Sequence, residues 1–355
     1  MRRATTIKDV ARRARVSVGT VSAVLNGAST VAEPTRQRVL SSIEALSYKP
    51  NSMAKSLRQP RALSVGLIVP NLQNPFFSAV AEGVQLTAEA HDILLVLCIT
   101  WARAEREQYY AQTLQTARLN GVIYLSGSGI PSPNLLSLAK SREIVFVDES
   151  LPGVDIPFVS AHNRSGAREL ANHVLSHGHR NIGIIGGPPR LWTSEQRLAG
   201  YREALASAGL DPDAAPTVSG DYDEASGYEL AGQLLRGPGP AVTALLCAND
   251  LMAIGAVRFC RDAQIRVPAD VSIVGFDNIP ASALLDPALT TVSQPGKEMG
   301  QAAAQLLLHH IKGLELPPVT QFRTSLCLRD SVAAAPSKDS ARKTLASSVR
   351  GSRPR

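Results

Sequence analysis

Seven side chains have the types needed to hold a small polar molecule: Phe76, Phe77, Asp148, Arg197, Tyr222, Asn249 and Asp277. Each falls at the end of a short apolar run or just past it. Tyr222 and Phe76 offer flat apolar faces, while Asp148, Asp277 and Asn249 can accept hydrogen bonds from hydroxyls or amines. Arg197 donates a planar fork, or pairs instead with Asp277 across a cleft. The set suits a polyhydroxylated or heterocyclic ligand, a sugar first and a nucleobase or other metabolite second. Trp101 and Trp192 are further candidates for the lining.

The same residues give little to catalysis. Gly183-Ile-Ile-Gly-Gly187 and Gly127-Ser-Gly129 are glycine-rich, but neither completes Gly-x-Gly-x-x-Gly or a Walker loop, and no Gly-x-Ser-x-Gly elbow occurs. His177, His179, His309 and His310 form no metal set, and Gly178-His-Arg180 reads as a structural turn. Cys98, Cys247, Cys260 and Cys327 lie far apart without a Cys-x-x-Cys pair. The expectation is a non-enzyme with no cofactor and no metal, its thiols reduced in the cytoplasm. No apolar run approaches the roughly 20 residues of a membrane helix.

The elements that must position these residues alternate. From Leu63 on, short apolar runs recur at Ser64–Val69, Ile93–Ile99, Gly121–Leu125, Ile144–Val147, Asn181–Gly186, Ala244–Cys247 and Val271–Phe276. Between them lie amphipathic stretches, among them Phe77–His91, Arg103–Leu119, Gly166–His177, Glu195–Ala208, Ala225–Leu235, Leu251–Ala263 and Gly296–Ile311. Apolar strands alternating with helices predict an α/β class: two doubly wound parallel sheets, each covered on both faces, with a cleft between two lobes. Ligands in such sheets sit beyond the carboxyl ends of the strands.

The first 50 residues differ. Ile7, Val10, Ala11 and Ala14 mark one face of a short helix capped by Thr5 or Thr6. Ser17 can cap a second helix from Val18 to Asn26, with Val21, Val24 and Leu25 inward and Asn26-Gly27 ending it. Pro34 opens a third, to Leu46, burying Val39, Ile43 and Leu46. Two short helices joined by a tight turn and braced by a third predict an all-α helix-turn-helix. Ser52–Arg58 has room for about two further turns, too few to be stable alone. Charge follows this division. The chain has 355 residues and a formal net charge of +7, with +8 on residues 1–60, −6 on 61–330 and +5 on the last 25. A basic head on an acidic body suits a chain that offers one end to a polyanion. The tail 331–355, rich in Ser, Ala, Arg and Pro, is expected to be disordered.

Thr6-Ile-Lys-Asp-Val-Ala, Val16-Ser-x-x-Thr20-Val-Ser-x-Val-Leu-Asn26, Tyr48-x-Pro-Asn51 and Ala54-x-Ser-Leu57 resemble the head of the LacI/GalR family of bacterial transcription regulators. Asn71-x-x-Asn-Pro-Phe-Phe77, Arg197-x-x-Gly-Tyr201, Asn249-Asp250, Gly275-Phe-Asp-Asn278 and Leu289-Thr-Thr-Val-x-Gln-Pro295 are similar to the family's regulatory core, itself like periplasmic sugar-binding proteins. The resemblance extends to about Asp330. It implies a head over 1–50, a hinge helix and linker over 51–60, and an effector-binding and dimerisation core over 61–330. Within that core it implies one lobe of 61–161 plus about 292–322, and a second of 162–291 plus about 323–330.

The resemblance also implies roles. Thr6, Ser17, Thr20, Ser22 and Asn26 would hold backbone phosphates, and Val18, Gly19 and Ala23 would face the bases. Leu57 would wedge into the minor groove with Lys55 beside it, and the seven cleft residues match effector-binding positions. The implied protein is a cytoplasmic repressor, a homodimer on a palindromic double-stranded DNA operator. Three departures stand out. Ala23 replaces an Arg or His common in relatives, removing a bidentate base contact worth ~1–3 kcal/mol. Arg15 stands in the turn where Gly or Asn is usual, and His162 stands where an acid is common. The competing readings are a transport-type binding protein, which would need an export signal, and a ligand-independent DNA binder.

Overall fold

The computed structural model describes residues 6–25, 31–46, 63–140, 144–150, 156–238, 240–314 and 319–336. The chain divides between Ala62 and Leu63 into two compact units.

The first unit holds α1 (Ile7–Ala14), α2 (Val18–Leu25) and α3 (Glu33–Ala45). Thr6 caps α1: its amide and hydroxyl both donate to Asp9 Oδ2, at 3.0 and 2.7 Å. The helix ends on Arg15 in the left-handed region (φ 55°, ψ 47°), and the Val16 amide closes back onto the Ala11 carbonyl at 3.1 Å. This is a Schellman closure, which ordinarily uses glycine. The predicted stripes meet in one small core of Val10, Ala11, Ala14, Val21, Val24 and Val39, with Ile7, Leu25, Ile43 and Leu46 around it. Pro34 is the second residue of α3, not the first. The expected helix over 52–58 lies outside the described residues.

The second unit begins β1 (Ser64–Val69), α4 (Pro75–Ala90), β2 (Leu94–Ile99), α5 (Ala104–Thr116) and β3 (Gly121–Tyr124). It continues α6 (Pro133–Lys140), β4 (Ile144–Val147), β5 (Phe158–Ala161), α7 (Asn163–Ser176), β6 (Ile182–Gly186) and α8 (Trp192–Ser207). Then come β7 (Thr217–Ser219), α9 (Glu224–Leu235), β8 (Ala244–Cys247), α10 (Asp250–Asp262), β9 (Ser272–Val274) and a 3-10 turn at Pro280–Ala283. The last elements are β10 (Thr291–Ser293), α11 (Gly296–Ile311), β11 (Val319–Phe322) and β12 (Ser325–Cys327).

Two parallel sheets result. One has the order β11-β5-β4-β3-β1-β2, the other β7-β6-β8-β9, and β10 pairs antiparallel with β12. Apolar clusters cover both faces of each sheet. The chain passes between the lobes at His162, after β10, and between β11 and β12. At the first of these the His162 amide donates to the Phe322 carbonyl at 2.9 Å. In the first lobe α4 and α11 cross backbone to backbone. A Cβ on Gly83 would lie 2.0 Å from the Lys297 carbonyl oxygen, and one on Gly300 2.1 Å from that of Val80.

The periodicity missed α6 and the short strands β5, β7 and β10–β12, and the run Val271–Phe276 forms a strand only over Ser272–Val274. The expectation of disorder from residue 331 is corrected for Ser331–Pro336. Ser331 is fully buried; its hydroxyl donates to the Ile273 carbonyl at 2.5 Å and accepts from the Thr290 amide at 2.9 Å. The Ala335 amide reaches His177 O, and the buried His179 ring bonds Ala333 O, Thr243 and Ser272. Backbone and hydroxyl pairing, with Val332 packed against the second lobe's core, fixes this stretch, and composition could not reveal such pairing. Residues 337–355 lie outside the described residues.

Candidate functional site

Two surfaces carry the predicted residues. In the head, Ser17 caps α2 through its hydroxyl, which accepts from the Thr20 amide at 3.1 Å and lies 2.9 Å from Thr20 Oγ1. Ser17, Val18 and Gly19 are exposed; Thr20, Ser22 and Ala23 are half-buried. Val18 is an apolar side chain left in solvent at a helix start, with no part in the head's core. The exposed N-terminal turn of α2 thus presents small hydroxyls, a methyl pair and a bare glycine backbone. Asn26, Lys55 and Leu57 lie outside the described residues.

In the body, a cleft of about 620 Å³ opens between the two lobes, and all seven predicted residues line it. Every one sits on or beside a loop that leaves the carboxyl end of a parallel strand. Phe76 and Phe77 follow β1, Asp148 follows β4, Tyr222 follows β7, Asn249 follows β8 and Asp277 follows β9. Arg197 comes from α8, after β6. Several of these loops turn through the left-handed region at non-glycine residues: Trp101, Ala102, Asp148, Tyr222 and Asp277. Such conformations persist only where surrounding structure fixes them, and they concentrate at functional sites.

Arg197 is the centre of the second lobe's wall. It is 3% exposed and its Nε donates to Asn163 Oδ1 at 2.8 Å. Its Nη1 donates to the Ala248 carbonyl at 2.6 Å and lies 3.4 Å from Asp277 Oδ1, and its guanidinium stacks 4.1 Å from the Phe276 ring centre. The expected pairing across the cleft is corrected: Arg197 and Asp277 belong to the same lobe. Asp277 also accepts from Gln294 Nε2 at 2.7 Å. From the first lobe comes Asp148, almost wholly buried, whose Oδ1 has no hydrogen-bond partner in the protein.

Burial sets the proton affinities. It pushes the Asp148 and Glu149 carboxyls well above the usual range; Arg197 opposes this in both, while Asp277 adds to it at Asp148 and Asp148 at Glu149. Asp277 is pushed up to about 6, against the pull of Arg197 and Gln294. Burial works against the charge of Arg197, but Asp277, Tyr222 and Asp148 outweigh it. A single guanidinium is therefore shared among several carboxyls that burial drives towards neutrality.

Some predicted residues serve mainly as structure. Phe76 is part of the first lobe's core, leaving Phe77 as the more accessible ring. Asn249 caps α10 by accepting from the Met252 amide at 2.9 Å, and its Nδ2 donates to the Tyr222 carbonyl at 3.0 Å. It thus fixes the loop that presents Tyr222. Trp101 borders the cleft, half exposed, whereas Trp192 does not; it packs edge-on against Phe158 with ring centres 5.3 Å apart. His162 is exposed beside a separate depression at the lobe junction.

Three groups escaped sequence reasoning. Glu149 lies in the cleft wall and accepts from the Thr193 amide at 3.2 Å and from its hydroxyl. Glu107, deeply buried, accepts from Tyr124 Oη and the Gly127 amide, both at 2.8 Å, and from the Ser128 amide at 3.1 Å. It holds the 126–129 loop at the cleft's edge. Asp250, beneath the site, accepts from the Ile279 amide at 2.8 Å and from the Ser282 and Thr291 hydroxyls. An acid at the start of a helix reads from sequence as a cap, which conceals such roles. Among the described residues no group of three or more His, Cys, Asp or Glu could hold a metal ion, and no helix is long and apolar enough to cross a membrane.

Comparison with known proteins matches this division. Residues 6–51 fit the family described as bacterial regulatory proteins, lacI family, and residues 171–332 fit the periplasmic binding protein-like domain. The chain is 33% identical over 337 residues to the HTH-type transcriptional repressor CytR of Escherichia coli strain K12, covering 94% of this chain and 98% of CytR. The chain belongs to the lacI family of bacterial regulatory proteins. It is a DNA-binding transcriptional repressor of that family, with a helix-turn-helix head and a periplasmic-binding-protein-like body. This repressor's structure is similar to that of the lac repressor dimer bound to operator and the anti-inducer ONPF (28% identity, TM-score 0.80, 94% of this chain and 100% of that one). It is also similar to the transcriptional regulator CelR in complex with cellobiose (31% identity, TM-score 0.70, 92% and 99%).

Proposed function

We propose that the repressor binds a palindromic operator as a homodimer, one α2 per half-site, and that a sugar-like effector in the interlobe cleft controls that binding. The observation that carries this reading is the cleft itself. It is large enough for a small molecule and lined by converging polar groups, with a buried Asp148 oxygen that lacks a protein partner. The half-buried Tyr222 and Phe77 rings offer apolar faces to a sugar ring, and Arg197 and Asp277 offer donor and acceptor. The CelR complex with cellobiose supports the same choice of ligand class.

At the head, Thr6, Ser17, Thr20 and Ser22 contact phosphates, and Val18, Gly19 and Ala23 approach base edges. With so few side-chain donors there, discrimination leans on methyl contacts and DNA shape. Asn26, Lys55 and Leu57 extend that contact, Leu57 as a minor-groove wedge. For dimerisation, β2 is the edge strand of the first lobe's sheet and exposes Leu94 and Leu97, with Leu86 exposed on α4. An apolar edge of this kind is ordinarily covered. The lac repressor dimer on its operator supports the same assembly. The protein works in the cytoplasm, where operators are. Closure of the lobes over an effector changes the operator affinity, and the coupling is reciprocal.

The test is selection of bound sites from random double-stranded DNA with the full-length protein, with and without pools of sugars and nucleosides. A palindromic consensus whose recovery changes with a sugar pool is expected. Recovery of no preferred sequence, or an unchanged consensus and yield with every pool, removes the reading.

A further inference from the structure

The cleft is charged as well as polar. Its lining carries six carboxyls, Glu105, Asp148, Glu149, Asp221, Asp223 and Asp277, against two guanidiniums, Arg103 and Arg197. Most of these charges already have partners. Arg197 is matched by Asp277, Asp223 caps α9 by accepting from the Ser226 amide at 2.8 Å, and Glu149 accepts from Thr193. Asp148 is different. It is 5% exposed, its backbone is pinned through an amide bond to the Val159 carbonyl at 2.8 Å, and its Oδ1 meets no donor. A buried acceptor left alone is costly and marks a place where a donor belongs. A cleft with a low-dielectric wall and an excess of one sign concentrates ligands of the opposite sign.

Resting on the sugar-effector reading above, the geometry points to an effector that is a hydroxylated ring bearing a protonated amine, its ammonium received by Asp148. The ring hydroxyls then fall to Arg197 and Asp277, and Tyr222 lies beside them. A neutral sugar can donate to that acceptor, whereas an ammonium both donates to it and pairs with it as a counter-ion. The groups facing Asp148 are Glu149 on its own loop, Arg197 on α8, Asp277 after β9 and Tyr222 after β7. Burial favours the protonated Asp148 carboxyl. An arriving ammonium reverses that preference, so an amine displaces a proton to solvent near neutral pH, which a neutral sugar does not.

The experiment is calorimetric titration of the full-length protein with D-glucosamine, D-galactosamine and D-mannosamine, each beside its parent hexose and its N-acetyl derivative. Each is run in two buffers of different ionisation enthalpy. At least one aminohexose should bind about tenfold tighter than its parent, the ratio expected when a neutral hydrogen bond becomes a charge-assisted one. Its apparent enthalpy should shift with buffer, reporting proton release. Asp148→Asn should bring the amine's affinity down to that of its parent hexose and remove the buffer dependence. The inference is overturned if no aminohexose binds, if a parent hexose binds as tightly as its amine, or if the amine's enthalpy is the same in both buffers. A palindromic operator recovered by selection, together with hexose binding without amine preference, would leave the repressor reading intact and remove this one.

Discussion

Glu149 belongs to the first lobe and Thr193 to the second, yet the Glu149 carboxylate accepts both the amide and the hydroxyl of Thr193. Thr193 is the second residue of α8, a helix whose own N-cap position is Leu191, a residue that cannot cap. The missing cap therefore arrives from across the cleft. Close by, Gly129 of the first lobe turns with φ 65° so near the second that a Cβ on it would lie 2.3 Å from the Arg190 carbonyl oxygen. The α8 terminus is thus completed where the two lobes approach closely.

Removing that cap should loosen the start of α8 and leave the sheets alone. Glu149→Ala is expected to cost about 0.5–2 kcal/mol, the range for loss of an N-cap. Hydrogen exchange should speed up at Thr193 and its neighbours, with β4 and β6 unchanged. Glu149→Gln, which keeps an acceptor, should show a smaller change. Equal exchange in all three proteins would mean that the contact carries no weight.

Arg197→Ala has a harsher expectation. The guanidinium satisfies Asn163, the Ala248 carbonyl and Asp277 at once inside the second lobe. Deleting it leaves a buried carboxylate unpaired, at about 3–5 kcal/mol. Urea unfolding should show the loss, and Asp277→Asn added to Arg197→Ala should recover part of it. A variant as stable as the parent would refute the packing described for this wall.

Arg15 offers a test in the head. Its φ of 55° places a Cβ where left-handed geometry costs an L-residue roughly 1–2 kcal/mol. Arg15→Gly should raise head stability by about 1 kcal/mol, and Arg15→Val, β-branched, should lower it. Thermal unfolding of the two variants should move in opposite directions.

Arg15 also shows what sequence could and could not convey. The resemblance marked residue 15 as a turn position where Gly or Asn is usual, and the structure shows why, with Arg15 at φ 55°. The seven cleft residues were legible because loops after parallel strands must point at a switch point, whatever their detail. What stayed hidden depends on contacts distant in sequence. Arg197 bonds Asn163 and the Ala248 carbonyl, 34 and 51 residues away, and such contacts leave no local pattern. Ser331 is buried through bonds to Ile273 and Thr290, about 40 to 60 residues away, and polar pairing of that kind leaves no periodicity. Strands of three residues such as β7 and β10 are too short to show one.

Asp250 contributes a pH dependence that can be isolated by substitution. It is wholly buried beneath the cleft, and burial, with Asp277 adding to it, pushes its carboxyl up to about 7 despite its three donors. The folded protein thus holds a proton that the unfolded chain, with a carboxyl near pKa 3.9, has already released. Between those two values the native state binds more protons, so stability must fall as pH rises. The contribution is complete below about pH 4 and is lost as pH climbs through about 7, opposite to the usual behaviour of a salt-bridged carboxylate. Asp250→Asn, isosteric and without a titrating proton, should flatten this slope by on the order of 2 kcal/mol between pH 5 and 8. Urea midpoints across that range measure it, and parallel curves for the two proteins would show that Asp250 stays ionised in the fold.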